Sequence, residues 1–298
     1  MHYSNSFQSF KFIILIKVLT FLFITFVIIK LLINTAAAEV DAIRIGTVAI
    51  PPSLGNPYRN TGPPHLFTWS ATFDGLTRFN KYGELIPWLA ISWENVDKLT
   101  WRINLRDKVT FSNGERFTSE SVITSINYLL SSKSSKEAVA REFDYIRSVR
   151  SINELTIEIT TKSAIPFLPR TLPILHIVEP KSWKKLGPEG FSKKPVGTGP
   201  YKLISYSPSI LKYESFDSSW RAPNISKLEL IAVPDSFSRA QGVASGQLDI
   251  AISIGPDEAN LIKNNGGKAL SWPSASLWAI NFHHQQNGPF DNILVRKA

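Results

Sequence analysis

The sequence predicts an α/β fold, a lobe with a mixed sheet and an inserted α+β subdomain, and three observations carry that expectation. In the second half, strand-like segments alternate with helix-like ones, the pattern of a layered α/β sheet with partly parallel strands. Between them and the start, two alternating segments, Leu99–Leu105 and Leu155–Ile159, flank a helical stripe, which reads as a small α+β unit. The stretch from Pro195 to Tyr201, with Gly197 and Gly199 inside it, is a rigid corner feeding a strand.

In chain order, Ile43 to Val48 reads as a buried first strand. A turn-rich loop follows from Pro51 to Pro64 with five prolines and two glycines, and loops of that length inside compact domains are usually functional. Pro64 suits a first helical position, Leu66, Trp69 and Phe73 recur at helical spacing, and Gly75 is positioned to end the helix. Asn113 and Gly114 make a turn, and Thr118 is an N-cap for a helix carrying Val122, Ile123, Ile126, Leu129 and Leu130 on one side. After the corner come strands at Tyr201–Tyr206, Ile210–Phe216 and Leu228–Val233. Ser236 then caps a helix that Gly246 ends, Leu248–Ile252 is a short strand, and a last helix runs to Lys263 before Gly266 and Gly267.

The glycines of the corner invite a phosphate-binding reading. Such loops cradle phosphate with backbone amides at the start of a helix, whereas here a proline removes an amide and a strand follows. The corner is structural, and its value lies in its neighbours. Pro87, Leu89, Ala90, Ser92 and Trp93 match "P-x-L-A-x-S-W", and Trp101–Leu105, Arg106, Val109 and Phe111 match "T-F-x-L-R-x-x-V-x-F". Ser112, Asn113, Gly114, Phe117, Thr118 and Val122 continue as "S-[DN]-G-x-x-[FL]-T-x-x-D-V", with Ser121 where an Asp is usual. Pro234, Asp235, Arg239, Gly246, Asp249 and Ile250 follow a further motif, and Pro289, Phe290, Asp291, Val295, Arg296 and Ala298 a last one. In that order these motifs resemble the solute-binding proteins of family 5, the peptide-, dipeptide- and nickel-binding components of ABC importers.

The resemblance implies a type II periplasmic-binding-protein-like lobe. Residues 39–72 and 181–275 would form lobe one, 73–180 the inserted subdomain, and 276–298 the hinge and the start of lobe two. Family members are much longer, so most of the second lobe is expected to be missing and the chain to be truncated after the first. The N-terminal 38 residues read as a signal peptide: Lys11 and Lys17 near the start, an apolar run from Val18 to Ile29, and Ala36, Ala37 and Ala38 at the cleavage site. An uncleaved anchor helix is the competing reading. The absence of cysteine excludes disulfides and a lipid-anchored cysteine, which fits a soluble periplasmic protein.

Composition narrows the function further. The formal charge is +9, and removing Lys11, Lys17 and Lys30 with the signal leaves it near +6. Lys181, Lys184, Lys185, Lys193 and Lys194 form the densest basic cluster, with too few interleaved aromatics for nucleic acid, so a solvated face is expected. No histidine pair has metal spacing, since adjacent His283 and His284 point to opposite faces of a strand. There is no Gly-x-Ser-x-Gly elbow and no cysteine nucleophile, and the acidic pairs Asp257/Glu258 and Glu154/Glu158 read as solvated. No catalysis, no metal and no cofactor are expected. By its place in the family pattern, the loop after the first strand supplies ligand contacts at Asn60, Thr61 and Gly62. Trp278, Asn281 and Phe282 lie where the chain crosses between lobes. The expected function is capture of a peptide, or of nickel or another small solute, by a monomer that presents it to an ABC permease in the inner membrane. A fragment of a disrupted transporter gene is the alternative.

Overall fold

The computed structural model describes residues 42–52, 55–60, 63–271 and 288–297. Its central sheet has the order β11-β1-β10-β9-β8, built from β1 (Ala42–Thr47), β8 (Tyr201–Tyr206), β9 (Ile210–Ser215), β10 (Lys227–Ala232) and β11 (Ile250–Ala251). β1 runs parallel to both β10 and β11, while β9 is antiparallel to β10 and β8, so the sheet is mixed as expected. β1 is laid down early and pairs with Lys227–Ala232 in register from Ala42 to Thr47. A parallel neighbour requires a crossover rather than a hairpin. Here the crossover is long enough to contain a second sheet.

That sheet has the order β4-β5-β7-β6, with β4 (Ala90–Asn95), β5 (Thr100–Leu105), β6 (Ile146–Asn153) and β7 (Thr156–Thr161), all antiparallel. A two-stranded hairpin, β2 (Thr77–Phe79) and β3 (Leu85–Pro87), precedes it. One face buries Ile103, Leu105, Ile157 and Ile159 with Val122, Ile126 and Leu129 from the helix Ser119–Leu130 (α2). The same core takes in Tyr58, Trp69 and Phe73, together with Trp183 and Phe191 from the helix Pro180–Lys193 (α4). A smaller core of Ile50, Ala71, Leu211, Tyr213 and Leu230 lies on the central sheet.

The corner at Pro195–Tyr201 owes its glycines to close approach, not to positive φ. It runs against the end of the helix Pro63–Thr72 (α1), where the Gly199 amide donates to the Thr72 carbonyl at 2.9 Å. A Cβ on Gly197 would stand 2.0 Å from the Thr72 oxygen, and one on Gly199 2.5 Å from the Ala71 oxygen. The corner thus satisfies a helix-terminal carbonyl that otherwise has no partner.

Several local expectations need correction. Gly75 lies three residues past the end of α1, and its missing side chain makes room for the Pro173 carbonyl, 2.4 Å from where a Cβ would be. The helix Ser236–Ala244 (α5) is capped by Asp235, whose carboxylate accepts the Ser238 amide, and not by Ser236. Strands β4 and β6 were not anticipated. Both carry register shifts, and β6 is an edge strand mostly exposed, so neither shows clean alternation. Glu158 is buried, not solvated. It stands opposite both Arg102 and Arg150 in the ladder, bonding Arg102 at 2.8 Å and also pairing with Arg150. These guanidiniums, Arg102 foremost, hold its carboxyl below the usual range.

Candidate functional site: a polar cavity beyond the first strand

In open α/β sheets ligands collect outside the carboxyl ends of the strands. At that end of β1 the chain leaves as the proline-rich loop, and its described part is held by hydrogen bonds from three directions. The Gly55 amide donates to the Ser192 carbonyl at 2.9 Å, near the end of α4. Asn56 Oδ1 accepts the Tyr58 amide at 3.0 Å, a local turn of the kind asparagine favours. The Tyr58 hydroxyl donates to the His176 carbonyl at 2.8 Å, and its ring packs on Tyr128 and Trp183 at 5.8 and 5.4 Å. Burial raises the Tyr58 pKa well above its ordinary value, so the hydroxyl is fixed as a donor.

The helix Ala138–Arg141 (α3) closes the opposite side. Its first amides, on Ala138 and Val139, donate to the carbonyls of Arg59 and Tyr58 at 3.2 and 3.1 Å. Just before it, Glu137 is buried with three side-chain donors: Asn56 Nδ2 at 3.2 Å, the Tyr128 hydroxyl at 2.9 Å and Arg59 Nε at 3.1 Å. Burial, followed by the bond to Glu137, raises the Tyr128 pKa. Arg59 then reaches outward, its Nη2 donating to Glu189 at 2.9 Å. Burial lowers the Arg59 pKa, but the Glu189 and Glu137 carboxylates outweigh it and the net shift is upward. Glu189 is brought here by a kink in α4, where Gly187 has φ 64° ahead of Pro188. Between these groups lies a cavity of about 360 Å³ lined by Pro52, Asn56, Arg59, Asn60, Glu189 and Ser192. Its lining combines a guanidinium, a carboxylate, two carboxamides and a hydroxyl, a set suited to polar solutes.

Of the residues expected from sequence to meet ligand, Asn60 lines this cavity. Thr61, Gly62, Trp278, Asn281 and Phe282 lie outside the described residues. Arg59, Asn56, Glu137 and Glu189 were missed. The turn dipeptide Asn56-Pro57 marks the loop, but no spacing connects it to acids 81 residues away, the separation of Asn56 from Glu137.

A second polar cluster is structural. Asp74, buried just past α1, accepts Trp88 Nε1 at 2.7 Å, Arg221 Nε at 2.8 Å, the Thr198 hydroxyl at 2.8 Å and Trp220 Nε1 at 3.1 Å. Arg78 stacks over Trp88 at 4.5 Å and Arg106 over Trp220 at 4.6 Å. Nearby, His176 is buried with Nδ1 unpartnered, and burial pushes its pKa down to about 4. Among the described residues there is no group of three histidine or acidic side chains that could hold a metal ion. In the lysine cluster, Lys181 and Lys184 pair with Glu115 and Glu120 at 2.8 and 3.0 Å on an exposed face.

Fold and cavity together define one lobe of a type II periplasmic binding protein. The profile of the bacterial extracellular solute-binding proteins, family 5 (middle), matches residues 84–298, and the chain belongs to that family. It is 31% identical over 269 residues to the nickel-binding periplasmic protein of Escherichia coli K12, covering 87% of this chain and 48% of that one. Likewise it is 29% identical over 234 residues to the glutathione-binding protein of Pectobacterium atrosepticum, covering 76% of this chain and 45% of that one. Among solved structures, NikZ of Campylobacter jejuni in complex with Ni(L-His) superposes with a TM-score of 0.68 at 25% identity, over 75% of this chain and 45% of that one. The chain spans about half the length of these two relatives.

Proposed function

We propose that this chain captures a small solute, a peptide in the first instance, outside the cytoplasm and presents it to an ABC permease, without catalysis. The observation that carries the reading is the polar cavity between the loop that follows β1 and the helix Pro180–Lys193 in a chain of family 5. Glutathione, bound by one relative, is itself a small peptide. Residues 39–72 and 181–275 form lobe one in this reading and 73–180 the inserted subdomain, with Asn60, Thr61 and Gly62 facing the solute and Trp278, Asn281 and Phe282 at the crossing between lobes. Closure of two lobes about hinge strands buries the ligand and creates the form a permease recognises.

Sites that bury most of a ligand need a second wall. The cavity described here supplies one wall, so we expect this polypeptide by itself to bind peptides only weakly. Calorimetry with dipeptides, longer peptides, glutathione and nickel–histidine tests both statements. Weak heats with the peptides support the reading. Micromolar peptide binding overturns the two-wall expectation, and no heat with any solute sinks the receptor role. Preference for nickel–histidine favours the second reading, nickel uptake, which the 31% identity to a nickel-binding protein supports. A metal carried as a small-molecule chelate needs no three-residue protein cluster. Export by a cleavable signal completes the proposal. Edman sequencing of the exported chain is expected to begin at Glu39, and an N-terminus retaining the apolar run points to the anchor instead.

A further inference from the structure

The Arg59 guanidinium has two edges held in different ways. Its Nε edge is locked to Glu137, which is 3% exposed and already engaged by Asn56 and Tyr128. Its Nη2 edge meets Glu189, whose side chain is 84% exposed. The first contact holds the planar group in one orientation toward the cavity. The second is an exposed ion pair, a kind that contributes little, because water screens it and a long side chain loses freedom in making it. A guanidinium fixed in orientation, with one N–H donor held only by an exposed partner, is a carboxylate receptor in waiting, since charge-assisted bonds to carboxylate are among the stronger hydrogen bonds.

We propose that Arg59 binds a carboxylate group of the captured solute through Nη2, and that Glu189 occupies this position in the empty lobe and swings into solvent as the solute arrives. The inference rests on the solute-capture reading and narrows it to carboxylate-bearing solutes. Charge balance favours the exchange. One carboxylate replaces another, Glu137 keeps its three donors, and Glu189 moves to water from a position that is already mostly wet. Asn60 lies on the wall of the same cavity. A neutral solute gains nothing from Arg59 and must compete with Glu189 for it, so the device discriminates by charge.

The test follows the Arg59 Nε–H resonance by NMR in the purified full chain during titration with propionate, against chloride at equal ionic strength. A saturable shift specific to propionate is expected. Glu189→Gln should tighten it roughly fivefold, the equivalent of an exposed ion pair at the upper end of its usual range. Arg59→Lys, followed at the Asn60 amide, should weaken it, because a single ammonium cannot keep the Glu137 contact and also place a second, separately oriented donor where Nη2 stands. A shift that is unsaturable, matched by chloride, or unchanged in affinity by Glu189→Gln overturns the proposal. Peptide binding measured on the same sample separates the two readings. Peptides bound without a propionate response remove the Arg59 role alone, whereas loss of both responses removes solute capture with it.

Discussion

His176 shows how much one side chain's surroundings change its chemistry. Its ring lies edge-on to Trp69 and Phe73, with centroids at 5.8 and 6.3 Å, and burial lowers its pKa from 6.5 to about 4. The unfolded chain therefore takes up this proton near pH 6.5, while the folded chain refuses it until about pH 4. Acid stabilises the unfolded state first, so folding stability should fall across that window by roughly 3 kcal/mol in total. Glu158 and Glu179, whose pKa values are lowered on folding, add their own losses only as the pH drops past 4.5. Urea melts at a series of pH values should show the histidine loss above that range. His176→Gln should flatten it there and leave the lower limb in place. No sequence pattern distinguishes this histidine from the others, because its environment comes from Trp69, Phe73 and the 168–178 segment, which meet only in the fold.

At the level of elements, the corner and α1 form one joint. Gly197 stands so close to the Thr72 carbonyl that no side chain fits, and both obstacles nearest it, the Thr72 oxygen and the Phe73 ring, belong to a packed helix end. Gly197→Ala should therefore destabilise by about 1–3 kcal/mol, the usual penalty for overpacking, and more if the Ser112 amide loses its bond to the Gly197 carbonyl. Differential scanning calorimetry reads the shift, and a melting temperature equal to the parent's would refute the joint. The strand after this corner was legible to the residue, Tyr201–Tyr206, since prolines and glycines act on their own backbone. β6 was not, because an exposed edge strand with bulges has no periodic signature. The same contrast holds in the cavity. Asn60 could be placed by its loop, whereas Arg59, Glu137 and Glu189 come from three separate segments.

Across the whole molecule, Asp74 is the tie between the sheets. Its four donors come from the residue after β3, the corner, and the turn following β9, so one carboxylate joins the 90–161 sheet region to the central sheet. Its side chain is 1% exposed and its ion-pair partner Arg221 21% exposed. Removing the carboxylate leaves the Trp88 and Trp220 indoles and the Thr198 hydroxyl without this acceptor, and an unsatisfied buried donor costs about 1–3 kcal/mol. Asp74→Ala is expected to lose that much in urea unfolding, and Asp74→Asn less, since a carboxamide still accepts from the indoles and the hydroxyl. A parent-like midpoint for Asp74→Ala would show that the two regions are held by packing alone.

The linear chain by itself determined the α/β class, the order of most strands and helices, and the family, because those depend on local propensity, on periodicity and on motifs a few residues long. Tertiary structure alone decided that Glu158 is buried between two arginines, that the glycines of the corner serve close approach, and that Arg59 stands between a buried and an exposed carboxylate. Each of these includes a relation between segments tens to more than a hundred residues apart, and such a relation comes into being only when burial of the apolar faces brings them together.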